Sequence, residues 1–178
     1  MKKLFFAVPL VALLLAGCSS PAPTVDKVGD AKPAASQPAK TADRSAALGG
    51  TVTYDSGVKV TVKSDGFQPV SQYAAGAVDG KAAVFELTVV NGSNKELEAG
   101  LMSMPKVTVG AKNTQATPVT DMEAKLGMDM LSTILPGETQ TVKFGAGIAA
   151  ADAAAVRVEV SGPNPFTDKD AIFKGAVK

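Results

Sequence analysis

The chain has 178 residues, with 18 basic and 17 acidic side chains, one cysteine, no histidine and no tryptophan. A near-neutral charge without a basic run argues against nucleic acid as a partner. The lack of histidine removes the commonest general base, and a single thiol cannot build the usual zinc sites.

The N-terminus has the pattern of a secretory signal peptide. Lys2 and Lys3 precede an apolar run from Leu4 to Ala16, and small residues follow. The run is shorter than the roughly 20 residues that cross a bilayer, and Pro9 interrupts it. We therefore predict that residues 1–17 are a signal peptide rather than a permanent transmembrane helix.

The only cysteine, Cys18, ends this run in the sequence Leu-Ala-Gly-Cys. That quartet resembles the bacterial lipobox, and the resemblance implies a diacylglyceryl group on the Cys18 sulfur and cleavage before Cys18. Two acyl chains anchor a protein stably where one chain is marginal. The expected location is the extracytoplasmic face of the cell membrane, with the covalent lipid as the one attached group and no other cofactor.

Residues 18–50 differ in composition from the rest of the chain. They contain four prolines, many alanines and mixed charges, which leave little apolar surface to bury. A helix over residues 25–47 is the alternative, but the prolines and the lack of apolar periodicity argue against it. We predict a lipidated, disordered linker with a mean reach of roughly 30 Å. Residues 51–178 then form one domain.

The domain has a period of two in its apolar residues. Val58, Val60 and Val62 alternate with polar residues after a turn at 55–57. Phe85, Leu87 and Val89 repeat the pattern before a turn at Asn91-Gly92. Further short stretches of this kind are "KVTVG", "TQATPV", "TQTVKF" and "AAVRVEVSG", each bounded by Gly, Pro or Asn. Pro118 places its strand at a sheet edge or ends it there. Seven or more such strands predict an antiparallel β-sandwich or barrel, and we expect the sandwich.

Three motifs occur in this order along the domain: "VNGSNK" at 90–95, "LPGE" at 135–138 and "AIFKG" at 171–175. Together with the strand series, they resemble a family of secreted lipoproteins from Gram-positive, particularly actinobacterial, bacteria. The resemblance covers nearly all of residues 50–175. It implies a single immunoglobulin-like domain of unknown function and supplies no catalytic residue.

Methionine is the sharpest candidate for local chemistry. The chain has two Met-x-Met pairs and one further methionine between them. On a strand, residues i and i+2 share a face, so each pair could offer two thioethers to Cu(I). Methionine is also a common filler of cores and of adaptable binding surfaces, which is the more common role. The candidate copper ligands are Met102, Met104, Met122, Met128 and Met130.

Other catalytic constellations are weak. The acidic pairs Asp121/Glu123 and Asp168/Asp170 lack the spacing of a calcium loop and favour surface roles. No Gly-x-Ser-x-Gly elbow occurs. Ser64 and Lys63 are adjacent on a predicted strand, so their side chains point to opposite faces. We therefore expect no enzyme.

The longest interruptions of the strand pattern are residues 65–80 and 120–130, which carry Phe67, Tyr73 and the later methionines. Loops at one end of a sandwich commonly carry recognition, although inter-strand packing is an equally good reason for such segments. We predict a membrane-anchored binding or structural module with a protein or cell-wall partner. A copper-handling protein is the alternative, and a cell-wall hydrolase is a weaker one.

Overall fold

The computed structural model describes residues 24–26 and 44–178. The predicted signal peptide, Cys18 and most of the predicted linker lie outside the described residues. The regular secondary structure of the described residues consists of β-strands and two short 3-10 helices at Gly100–Ser103 and Ala150–Asp152. No helix among these residues is long and apolar enough to cross a membrane.

Two sheets carry most of the strands. Sheet A has six strands in the order β1 (Thr24–Asp26), β3 (Thr51–Thr53), β4 (Val58–Pro69), β5 (Lys81–Asn91), β11 (Thr139–Gly147) and β9 (Thr117–Val119). Sheet B has five strands in the order β2 (Ser45–Ala47), β13 (Ala171–Gly175), β12 (Val156–Val160), β7 (Lys106–Val109) and β8 (Thr114–Gln115). A small third sheet pairs β6 (Leu97–Glu98) with β10 (Thr133–Ile134). The predicted β-sandwich is confirmed.

The core lies between the inner faces of sheets A and B. Phe85, Leu87 and Val89 of β5 are fully buried, as their alternation predicts. Phe85 stacks on Phe144 of the neighbouring strand β11, with ring centroids 5.2 Å apart. Val158 of β12 and Phe173 of β13 close the core from sheet B. Alternating valines thus place one apolar face of each sheet inward.

The chain changes sheets between β8 and β9. Thr114–Gln115 pairs with β7 in sheet B, whereas Thr117–Val119 pairs with β11 in sheet A. Ala116, between them, is buried in the core. Pro118 lies on β9, an edge of sheet A, as predicted, since an edge strand tolerates a missing N–H.

The predicted linker differs from the structure at two places. Thr24–Asp26 pairs antiparallel with β3, and Ser45–Ala47 pairs in parallel with β13. The domain boundary predicted at Gly50/Thr51 is therefore too late by at least six residues, because Ser45–Ala47 belongs to sheet B. Strands of three residues are too short to show a period of two, and they form because a finished sheet offers an edge.

Candidate functional site

The structure brings the two predicted recognition segments together. The predicted bounds of the first segment, 65–80, are partly wrong, because residues 65–69, including Phe67, belong to β4 and only residues 70–80 connect β4 to β5. Residues 120–130 follow β9, and we keep the name recognition segments for residues 70–80 and 120–130. The backbones of Ala75 and Thr120 exchange two hydrogen bonds, of 3.0 and 3.1 Å. The two segments are 45 positions apart in sequence at this bridge, and only the fold makes them neighbours.

Asp121 holds the two segments in place. Its Oδ2 accepts from the Ser71 backbone N–H at 2.6 Å, and its Oδ1 accepts from the Ser71 hydroxyl at 3.0 Å. Oδ1 also accepts from the backbone N–H groups of Glu123 at 2.9 Å and Ala124 at 3.4 Å. The hydrogen bond from the Ser71 backbone is the main reason that the pKa of Asp121 lies below its usual range.

A small apolar cluster supports these segments from below. It consists of Ala82 and Val84 on β5, Val119 on β9 and Leu126, and we call it the outer cluster. Ala82 and Val84 alternate with the core residues Ala83 and Phe85 and so lie on the outer face of sheet A. The recognition segments therefore cover the outer face of sheet A near its β9 edge.

Three large apolar side chains are exposed on this support. Tyr73 is 79% exposed, Met122 81% and Met128 53%. All three line one depression of about 480 Å³, together with Ser71, Thr120, Asp121 and Glu123. We call Tyr73, Met122 and Met128 the loop patch. An apolar patch rimmed by polar groups is typical of an interaction surface.

A second depression adjoins the loop patch. It has a volume of about 420 Å³ and shares Thr120 with the first. Met104, Pro118 and Phe144 are among its lining residues. Ala116, where the chain passes from sheet B to sheet A, also lines this depression, which therefore lies on the β8/β9 side of the sandwich.

The structure separates the predicted Met-x-Met pairs. Met102 lies in the 3-10 helix and is 1% exposed in the core, whereas Met104 is 76% exposed. The i and i+2 positions share a face only on a strand, so this pair does not converge. Met128 and Met130 lie outside any strand, and both are exposed. Only Met122 and Met128 line the same depression.

The predicted acidic pairs also separate. Asp121 is buried and bonded as described, whereas Glu123 is exposed. Asp168 accepts from the Asn164 backbone N–H at 3.0 Å. Asp168 and Asp170 line two different depressions of the surface. Within residues 24–26 and 44–178, no three acidic or cysteine side chains are grouped to hold a metal.

Ser64 lies at a β-bulge of strand β4. The register of β4 against β5 shifts between Ser64 and Gly66, and the Ser64 hydroxyl accepts from the Gly66 N–H at 3.2 Å. Lys63 pairs with Asp65 at 3.0 Å, and Lys143 reaches the same carboxylate at 3.4 Å. The hydrogen bond from Lys63 holds the pKa of Asp65 below its usual range.

A further apolar surface was missed by the sequence reasoning. Phe166 is 95% exposed at the rim of a groove of about 850 Å³ that Leu101 also lines. Asn164 orders this loop, because its Oδ1 accepts from the Phe166 N–H at 3.0 Å. Tyr54 braces it by donating to the Lys169 carbonyl oxygen at 3.0 Å, and burial raises the pKa of the Tyr54 phenol. The Asn-Pro-Phe turn was the available signal.

Comparisons with known proteins identify the architecture and no activity. No protein-family model matches the chain, and no curated protein matches its sequence significantly. The chain is similar in structure to the yjhA protein of Bacillus subtilis, with a TM-score of 0.55 and 16% identity over 72% of this chain and 97% of that one.

Two further solved structures are similar. One is a Bacillus subtilis protein called "a putative lipoprotein (ycdA)", with a TM-score of 0.53 and 17% identity over 67% of this chain and 36% of that one. The other is an uncharacterized β-sandwich protein of Clostridium difficile, with a TM-score of 0.46 and 14% identity over 79% of this chain and 99% of that one. At these identities the likeness to yjhA and ycdA supports the β-sandwich fold alone.

Proposed function

We propose that the protein is a lipid-anchored, extracytoplasmic lipoprotein whose β-sandwich binds a protein or cell-wall partner through the loop patch. One observation carries the proposal: Tyr73, Met122 and Met128 lie exposed in one depression on segments that Asp121 holds together. Aromatic and thioether side chains provide large, adaptable contact area, which is the usual make-up of a binding surface. The predicted signal peptide and the lipobox-like sequence at Cys18 support the location, and the family resemblance fits both.

The loop patch is a preorganised surface. Two backbone hydrogen bonds and four hydrogen bonds to one carboxylate order the segments before any partner arrives. Binding to an ordered surface avoids the entropy that a flexible loop loses. The outer cluster beneath the segments serves the same end, since it fixes them to the rigid sheet.

The role we propose is non-catalytic. The acidic side chains of the recognition segments are either hydrogen-bonded to backbone, as Asp121 is, or exposed, as Glu123 is. A hydrolase needs two carboxylates at a working separation across a cleft. Asp121 has its oxygens engaged by four donors, which suits a structural role.

Copper binding is the second candidate, because Met122 and Met128 line the same depression. Their two thioethers could contact one Cu(I) ion there. The burial of Met102 in the core weakens this candidate, since it removes one thioether from the predicted set. Titration of the purified domain with Cu(I) tests it: binding would raise the melting temperature, and Met122→Leu with Met128→Leu would abolish that rise.

Crosslinking in intact cells tests binding at the loop patch. A photoreactive amino acid at position 122 of the anchored protein should give a discrete crosslinked product. The matched control is the same amino acid at position 166, where Phe166 is even more exposed than Met122. A product at 166 but not at 122 would move the site to the Phe166 groove and refute the assignment.

A further inference from the structure

The outer face of sheet B is strongly basic. Lys174 of β13 lies opposite Arg157 of β12, and Lys106 of β7 lies opposite Glu159 of β12, all with outward-facing side chains. Arg44 and Lys169 line a depression with Arg157 on the same face. Five cations therefore face two carboxylates, Glu159 and Asp170, and Arg157 and Glu159 form an ion pair. We call these five cations the basic face.

The outer face of sheet A has a different charge balance. Lys63 and Lys143 both bind the Asp65 carboxylate, and Lys63 and Lys143 each lie opposite Glu86 in the sheet. Their charge is largely neutralised within the face. The described residues 44–178 carry 13 basic and 14 acidic side chains in total, so the excess on the basic face is offset by acidic surface elsewhere.

The route of the chain brings the basic face close to a membrane anchor. Thr24 of β1 pairs with Thr53 of β3 and lies only six positions after Cys18. Six residues reach at most about 21 Å, so the sandwich has little freedom to leave the bilayer. Strands β1 and β2 are the edges of sheets A and B on one side of the sandwich, and β2 borders the basic face.

We propose that the basic face docks side-on against anionic phospholipid headgroups, an inference that rests on the proposed lipid anchor at Cys18. The occupant is the bilayer that holds the protein, because the five cations complement anionic headgroups and the leash keeps the bilayer within reach. Each lysine or arginine near such a surface strengthens binding about fivefold. The charge acts only within a Debye length, about 10 Å at 0.1 M salt, so the face must lie close to the headgroups.

Side-on docking explains the position of the loop patch. The recognition segments cover the outer face of sheet A, which is the face opposite to the basic face. A sandwich lying on sheet B therefore presents Tyr73, Met122 and Met128 away from the membrane. The short leash would otherwise leave the orientation of the patch to chance.

Lysine footprinting tests the orientation. The chain from Ser19 to Lys178, which contains every described element, is attached through an N-terminal hexahistidine tag to nickel-chelating lipid in vesicles. An amine-reactive ester then labels exposed lysines, and mass spectrometry quantifies each site. On phosphatidylglycerol-rich vesicles at about 0.1 M salt, we expect Lys106, Lys169 and Lys174 to be protected severalfold and Lys59 to be labelled as in solution. Phosphatidylcholine vesicles, or about 1 M salt, should remove the protection.

Two matched variants test the charge itself by co-sedimentation of the untethered chain with the same vesicles. Replacing Lys106, Lys169 and Lys174 by glutamine should weaken partitioning about 100-fold, at fivefold for each side chain. The same replacement of Lys59, Lys63 and Lys143 removes the same charge from the opposite face and should change partitioning by no more than about twofold. Circular dichroism verifies that both variants fold.

Equal labelling of both faces, protection of Lys59 instead, or equal effects of the two variants would overturn the proposal. Salt-independent protection would also overturn it. The artificial tether keeps this test separate from the natural anchor. An unmodified Cys18 thiol in the cellular protein would refute the anchor and leave the vesicle result intact, whereas failure of crosslinking at position 122 would refute only the loop patch.

Discussion

Replacing Asn91 should reveal how the end of β5 is built. Asn91 is fully buried, and its Nδ2 donates to the carbonyl oxygens of Ile134 at 2.7 Å and Lys95 at 2.8 Å. Its Oδ1 accepts from the Ser93 N–H at 3.1 Å and the Ser93 hydroxyl at 2.6 Å. The amide nitrogen is the donor and the amide oxygen the acceptor, because a backbone N–H only donates and a carbonyl only accepts.

Asn91→Ala removes four hydrogen bonds and takes the side-chain donor away from the Ile134 carbonyl oxygen, whereas the Lys95 carbonyl oxygen still accepts from the Ser93 hydroxyl. At about 0.5–1.5 kcal/mol for each bond, the expected loss is roughly 2–6 kcal/mol in the free energy of unfolding. Domains of this size have about 5–15 kcal/mol in total, so the variant should lose a large share of its stability. Urea denaturation followed by circular dichroism measures the loss.

Asn91→Asp keeps the shape of the side chain but replaces its NH2 donor by an oxygen, which accepts hydrogen bonds. The introduced carboxylate would face two carbonyl oxygens, so burial and repulsion raise its folded pKa above the unfolded value of about 3.9. Its protonated form is then favoured in the folded state. The loss in the free energy of unfolding, relative to the parent protein, should be smallest below pH of about 4. It should grow as pH rises through the raised folded pKa of the introduced carboxyl.

Asn94→Asp is the matched control, because Asn94 is exposed in the same turn and the chemical change is identical. It should lose less than about 0.5 kcal/mol at any pH. A loss below about 1 kcal/mol for Asn91→Ala, or a loss without pH dependence for Asn91→Asp, would refute the reasoning.

Three further predictions concern the candidate site and its support. Asp121→Ala should speed hydrogen exchange in residues 70–76 and 120–127 while β5 stays protected. In the parent protein the pKa of Asp121 is lowered, so residues 70–76 and 120–127 should stay protected from exchange down to pH below about 3.9. That protection should be lost as pH falls through the folded pKa of Asp121. Gly76→Ala should destabilise far more than Gly137→Ala: both have φ near +80°, but only at Gly76 would a Cβ meet a carbonyl oxygen, that of Pro118. Equal losses would show that φ alone matters. Peroxide should oxidise Met104 and Met122 quickly and Met102 only on unfolding, which peptide mass spectrometry measures.

The main strands were predictable because they are long and one-sided. β4 and β5 alternate over many residues, and their turns at 55–57 and Asn91-Gly92 carry Gly and Asn where the structure needs them. Gly57 has φ +90° and packs against the Gly92 carbonyl oxygen, so the two predicted turns contact each other. At the end of β5, Asn91 holds residues 91–95 together through its hydrogen bonds with Ser93 and Lys95.

The edges and the outer cluster were not predictable. β1 and β2 have three residues each and form only because β3 and β13 offer them partners. Ala82 and Val84 occupy positions that alternation assigns to solvent, and they are buried because residues 70–80 and 120–130 fold over them. That cover depends on contacts between segments far apart in sequence, which a local pattern does not carry. For the same reason, local spacing paired Met102 with Met104, whereas the fold groups Met122 with Met128.

The most direct test of the central claim is the crosslinking yield at position 122 in intact cells, compared for the parent protein and Asp121→Ala. Binding at the loop patch should give one discrete product that requires the ordered patch and is lost when Asp121 no longer holds the segments. Persistence of the same product in the variant, or no product at 122 while position 166 gives one, would contradict a binding function at the loop patch.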